Sequence, residues 1–368
     1  MIESRVQRYM MQSSTMGIPK EVLKKERRFW VIGGCLTVGL AASILLAVCL
    51  GSVKIEVAAV YQIILHKIIG LPLDGISMAH ADIIWQLRMP RILMAAVVGA
   101  GLAMCGTVMQ ASVQNPLAEP YILGIASGAS LGAIFAIMLG GSKVLLGFGI
   151  TVWAFAGAIL ATIAVMFLAG MGGQMSTMKM VLAGAVISAL FGAAANFLIY
   201  IANNAEGMRS VAFWTMGSLA GAKWDTLLLP SIGVSIAAIF FLLRSRRLNV
   251  LLLGEEAAIT LGINIVRERR IYMIITALLT GMIVASCGIF GFVGLVIPHA
   301  VRSIVGADHR RLMPGVLLVG AIFLIWADVL SRILLRSGDL PIGIITALIG
   351  APFFMWLLFR RSFNFGGN

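Results

Sequence analysis

Two arginines frame a proline in Arg88-Met89-Pro90-Arg91. A guanidinium offers five donors in a planar fork that fits a carboxylate, and proline is at home in the first turn of a helix. The pair therefore reads as a patch that faces anions or carboxylates; anchoring at a membrane–water interface is the other reading such arginines support. Asp328 and Arg332 stand one helical turn apart and can pair with each other. In Asn115-Pro116-Leu117-Ala118-Glu119-Pro120 a carboxyl lies between two prolines that stop a helix from running straight through. In Leu253-Gly254-Glu255-Glu256-Ala257-Ala258-Ile259-Thr260-Leu261-Gly262 two glycines bracket a short run of good helix formers. This is the chemistry of binding and positioning. Hydrolytic signatures are missing: there is no G-x-x-x-x-G-K-[ST] phosphate loop, no H-E-x-x-H and no G-x-S-x-G. Cys35, Cys49, Cys105 and Cys287 show neither C-x-x-C spacing nor a companion histidine cluster, so no disulfide framework or zinc site is expected. The expectation is a chain that is not an enzyme and holds no catalytic residue, metal or cofactor of its own.

The elements that must position these residues belong in lipid. The 368 residues are 60% hydrophobic and 12% charged, against about 25% charged in soluble domains. Segments 29–53, 92–118, 144–178, 180–205 and 271–301 carry no Asp, Glu, Lys or Arg. A spanning helix needs about 20 mostly apolar residues, and a chain in hydrocarbon must close its own backbone hydrogen bonds. The sequence thus predicts an all-α polytopic membrane protein of about ten spans. They are placed near 30–51, 90–111, 118–140, 146–170, 178–203, 227–244, 271–287, 290–305, 313–332 and 341–359. Within 271–301 the run Ser286-Cys287-Gly288-Ile289-Phe290-Gly291-Phe292-Val293-Gly294 predicts a break between a helix and a shorter one, and such interrupted segments can line a pathway. Gly124, Ala126, Ser127, Gly128 and Gly132 supply small residues for close helix packing.

The net charge of +13 is assigned to the positive-inside bias rather than to nucleic-acid binding. Most of the basic residues fall in segments that share one side if the chain starts in the cytoplasm and alternates. Both termini are therefore expected inside. Residues 1–28 read as a basic cytoplasmic extension, 29–361 as the membrane domain and 362–368 as a cytoplasmic tail.

Taken in order, Arg88-Met89-Pro90-Arg91, Asn115-Pro116-Leu117-Ala118-Glu119-Pro120, Leu253-Gly254-Glu255, Gly291-Phe292-Val293-Gly294-Leu295-Val296-Ile297-Pro298-His299 and Leu340-Pro341-Ile342-Gly343 resemble the FecCD-type permease family. These are membrane subunits of bacterial ABC importers for iron-siderophores, haem and vitamin B12. The resemblance implies type II ABC importer architecture in the bacterial cytoplasmic membrane. It also implies a second permease subunit, identical or paralogous, and two separate ATPase subunits that bring ATP and Mg. An extracytoplasmic solute-binding protein would dock outside, and His299 would belong to the fold rather than to metal capture. By the same resemblance Arg88, Arg91 and Arg332 would receive the binding protein. Asn115, Leu117, Ser176 and Thr177 would form the cytoplasmic gate, with Met178 standing where the family's vitamin B12 permease has a second hydroxyl. Gly254, Glu255, Ala258, Leu261 and Gly262 would belong to the helix that couples to the ATPase. Family breadth favours an iron-siderophore cargo, with haem and cobalamin as alternatives. The rival of another class is a secondary transporter or channel that works without ATP.

Overall fold

The computed structural model describes residues 20–73, 75–140, 149–171, 176–335 and 338–360, and the regular structure among them is helical. The segments 1–19 and 361–368, which hold most of the expected extension and all of the expected tail, lie outside the described residues. In chain order the helices are α1 Lys20–Cys49, α2 Val57–Ile69, α3 Met78–Val113, α4 Ile125–Met138, α5 Ile150–Gly170, α6 Thr177–Ala202 and α7 Ala205–Met216. They continue with α8 Trp224–Leu243, α9 Ser245–Leu251, α10 Glu255–Thr260, α11 Ile265–Cys287, α12 Val293–Val305, α13 His309–Ile333 and α14 Ile342–Arg360. Each of the ten expected spans has its helix. Seven helices are long and apolar enough to cross a bilayer (α1, α3, α5, α6, α8, α11 and α13), while α4, α12 and the apolar part of α14 are shorter.

Three expectations need correction. The span placed at 90–111 begins at Met78, because Pro90 does not start the helix. Lacking an N–H for the carbonyl four residues back, it sits just past a π-helical stretch, Ile83–Arg88, that widens the backbone and lets the helix run on. The span placed at 118–140 begins only at Ile125, after the two prolines and a short 3₁₀ turn, Pro120–Leu123. Helices α2 and α7 were not expected, since Glu56, Lys67, Glu206 and Arg209 interrupt their apolar character.

Helix α3 is buried along most of its length and forms the axis of the molecule. Helices α8, α11, α12 and α13 pack around it, with α1 outside α13. A second apolar cluster joins α4, α5 and α6 to another face of α11, through Met273, Ala277, Val284 and Ala285. Lipid tails are as apolar as leucine, so helices in a membrane gain from close contact rather than from leaving water. The small residues supply that contact. A Cβ on Gly106 of α3 would stand 1.8 Å from the Gly294 carbonyl oxygen of α12, and one on Gly128 of α4 would stand 2.3 Å from that of Gly157 in α5.

The predicted break in 271–301 is present. Helix α11 ends at Cys287, Gly288 takes φ +80°, and Phe292 takes φ +70° before α12 begins. Its open backbone groups are served from the proline-framed turn. The Glu119 carboxylate accepts the Phe292 N–H at 3.1 Å, and the Tyr121 hydroxyl donates to the Phe290 carbonyl at 3.1 Å. Glu119 is thus a structural acceptor inside the bundle. Replacing Gly106 with leucine should destabilise the detergent-purified protein by about 1–3 kcal/mol or more through overpacking, whereas Gly33→Leu, with nothing within 4 Å, should leave the thermal unfolding midpoint unchanged.

Candidate functional site

Three groups of side chains cluster at the two ends of the α3 axis. At the end where α3 starts, Arg88, Arg91 and Arg332 come together, all three buried. The last carbonyls of a helix have no partner within it and carry the negative end of its dipole. Two of the arginines supply what α1 lacks. Arg88 donates to the carbonyls of Val48 at 2.8 Å, Cys49 at 3.3 Å and Val53, and Arg332 donates to Leu50 at 3.0 Å and Ala47 at 3.4 Å. Arg91 turns the other way. Its Nε bonds Asp328 Oδ1 at 2.8 Å, and its other donors reach Asp339 and Ser331.

Asp328 is fully buried and is shared by two guanidiniums, since its Oδ2 lies 3.0 Å from Arg332 Nε. The pair anticipated between Asp328 and Arg332 is formed, and Arg91 joins it from across the bundle. Asp339 is the partly exposed member, one residue before the Leu340-Pro341 motif. Sequence reasoning missed it because nothing in the linear pattern connects Asp339 with Arg91. The family resemblance assigns the three arginines to docking; in the structure their guanidiniums are turned into the bundle, and the Arg91–Asp339 pair is what reaches the surface.

At the opposite end, the turn after α3 is built by its own polar groups. Gln114 takes a left-handed φ of 52°. The Asn115 side chain accepts the Leu117 N–H at 2.9 Å, and the Asn115 backbone N–H donates to Gln110 at 3.2 Å. Thr177 donates its hydroxyl to the Val113 carbonyl at 3.2 Å, and Ser176 caps α6 by accepting the Lys179 N–H at 3.3 Å. The four candidate gate residues thus gather around one helix end, with Ser176 shaping the start of α6.

Beside them lies α10. Gly254 at φ +103° and Gly262 at φ +75° bracket it in backbone conformations that favour glycine. Ala258 is buried against the chain, while Ile259 and Leu261 are 66% and 60% exposed. A shallow cleft of about 360 Å³ separates α10 from the start of α11. Glu255 is bonded by Arg269 of α11 at 2.9 Å. Arg269, like Gln114, was not singled out from the sequence, where it reads as one more charge in the Arg267–Arg270 run. Nearby, Asn249 donates to Asp308 Oδ1 at 2.6 Å and accepts the His309 N–H at 2.8 Å, which ties α9 to the start of α13. Burial alone would raise the Asp308 carboxyl, but the Asn249 amide, the Arg310 N–H and the charges of Arg311 and Arg310 hold it below the usual carboxylate range.

A profile of the FecCD transport family matches residues 39–360. The chain belongs to the FecCD transport family. It is 42% identical over 281 residues to the hemin transport system permease protein HmuU of Yersinia pestis, covering 76% of this chain and 84% of that one. It is 39% identical over 305 residues to the cobalamin import system permease protein BtuC of Halobacterium salinarum, covering 80% and 81%. A solved ABC transporter assigned to the metal-chelate type, in an inward-facing conformation, superposes with a TM-score of 0.75 at 33% identity over 90% of this chain and 99% of that one. This FecCD permease is accordingly the multi-pass membrane subunit of an ABC importer. Of the motifs behind the family resemblance, 88–91 lies in α3 and 115–120 directly after it, while 291–299 and 340–343 lead into α12 and α14.

The arginine end of the permease yields a direct test. Asp328→Asn leaves two buried guanidiniums short of a counter-ion and should cost about 3–5 kcal/mol in unfolding experiments. Asp339→Asn, at the partly exposed pair, should cost about 0–1 kcal/mol.

Proposed function

We propose that this permease imports a bulky, preassembled metal chelate, working as one of two copies of the chain with two ATPase subunits at the α10 end and an extracytoplasmic binding protein at the arginine end. The observation that carries the reading is the posture of α10. It is seated on its own chain through Ala258 and held by the Glu255–Arg269 pair, and it offers the apolar side chains of Ile259 and Leu261 outward. An exposed apolar helix face beside a polar loop is what a partner's groove takes up. ATP and Mg would reside on that partner, whose closure would push α10 and carry with it the turn that holds Asn115 and Leu117. This orientation puts the basic segments of α9 to α11 in the cytoplasm, as the positive-inside bias requires.

At the other end three guanidiniums meet two carboxylates. The surplus positive charge would steer a binding protein that presents acidic residues, with Arg91 met at the edge now covered by Asp339. The cargo class rests on what the relatives carry by name, hemin for one and cobalamin for another, and on the family resemblance for iron-siderophores; the three stand level. Selectivity would belong to the binding protein, since a pathway that gripped its cargo tightly would slow release.

The test is reconstitution of the full chain with the ATPase and binding protein from neighbouring reading frames, followed by uptake of hemin, cobalamin and a ferric siderophore in competition. ATP-dependent, saturable accumulation of one of them is expected; accumulation driven by an ion gradient without the ATPase would refute the reading. In the same system Ile259→Glu with Leu261→Glu should abolish co-purification of the ATPase while the permease itself stays folded.

A further inference from the structure

We propose that Arg269 is the positioning residue that carries motion of α10 to the gate turn, by holding Glu255 and the end of α3 in one fixed geometry. The inference rests on the reading of α10 as the ATPase-facing helix. Arg269 is 2% exposed. Its Nε donates to the Ser112 carbonyl at 2.8 Å and its Nη2 to Glu255 Oε1 at 2.9 Å. A guanidinium is planar and rigid, so two partners bonded through two of its nitrogens cannot move independently without breaking one bond. Ser112 lies in the last turn of α3, where carbonyls have no partner within the helix, and Arg269 fills one of those places.

Charge makes the link one that α10 cannot leave cheaply. Arg269 is almost wholly buried, and Glu255 is the carboxylate paired with it. A buried charge that loses its partner is strongly unfavourable. When α10 shifts, Arg269 must follow Glu255, and the end of α3 must follow Arg269. The next residues repeat the connection by other means. The Val113 carbonyl accepts the Thr177 hydroxyl, which brings in the start of α6. The Gln114 amide donates to the Leu251 carbonyl at 2.7 Å, just before the segment that leads into α10. Three consecutive residues thus bind the end of α3 to α10, to the chain that precedes α10 and to α6. Asn115 and Leu117, the candidate gate, follow immediately.

The experiment measures cargo molecules imported per ATP hydrolysed in the reconstituted transporter. Arg269→Gln keeps a polar group for Ser112 but gives up the charge that follows Glu255. Assembly with the ATPase should persist while the transport ratio falls at least about fivefold, the lower range of coupling effects. Arg269→Lys, which keeps the charge, should recover part of the ratio. Gln114→Asn tests the second link in a variant that stays folded whatever Arg269 does. Asparagine tolerates the left-handed backbone but is too short to reach Leu251, and the ratio should fall again. If transport and hydrolysis decline in proportion, or the ratio is unchanged in Arg269→Gln, Arg269 only braces the fold and the inference is overturned, whatever Gln114→Asn does. Ile259→Glu separates this from the reading beneath it. Loss of ATPase assembly there, with an intact ratio in Arg269→Gln, sinks the Arg269 link alone; unimpaired assembly and uptake would sink the assignment of α10 itself.

Discussion

Within hydrocarbon a backbone carbonyl or N–H has no water to turn to, and each one left open costs on the order of several kcal/mol. A helix solves this along its length and fails at its ends. This permease has helix ends that must close inside the bundle, at Cys49, Val113 and Cys287. The Cys287 carbonyl takes the Ser218 backbone N–H at 2.8 Å, and polar side chains from elsewhere in the chain serve the other two ends and the gap after Cys287. Arg88 and Arg332 serve the end of α1, Glu119 and Tyr121 serve the gap between α11 and α12, and Arg269 and Thr177 serve the end of α3. Where a side chain from one helix completes the backbone of another, the two move together.

The proposed function falls on the same places. A helix that is hydrogen-bonded throughout and packed through glycine contacts, as α3 is against α12, behaves as a rigid member. The ends offer alternative partners, and an incoming protein can compete for them. At the arginine end, the partly exposed Asp339 is the group that a foreign carboxylate could replace, while Asp328 remains as the buried counter-ion. At the other end, α10 displays apolar side chains outward and an ionic hold inward. In the proposed reading the chain transmits and positions, and the energy would enter through another subunit.

The fold class was legible in the sequence because lipid leaves few options: charge-free runs of sufficient length become helices, and each of the ten placed spans has a helix among the described residues, seven of them long enough to cross a bilayer. The break near Phe292 was legible from its glycines. The bounds failed where a local rule met a tertiary context. Pro90 suggested a helix start, yet the π-helical stretch before it let α3 begin at Met78. Helix α7 stayed hidden because Glu206 and Arg209 gave it the look of a loop. Arg88, Arg91 and Arg332 could be named, but their burial could not, because it depends on partners distant in sequence: carbonyls at the end of α1 for Arg88 and Arg332, and Asp328 and Asp339 for Arg91. Asp339, Gln114 and Arg269 had no linear signature at all, since each acts through a partner brought near only by packing.

The central claim is that α10 and the turn after α3 form one mechanical unit. The most direct measurement is the distance between spin labels at Glu256 and Leu117 in the assembled transporter, taken before and after ATP binding. A third label at Leu71, beyond α2 and away from α10, gives the reference. The account predicts that the Glu256–Leu117 separation holds constant while both positions move relative to Leu71. A change in the Glu256–Leu117 separation with Leu117 fixed relative to Leu71 would contradict it.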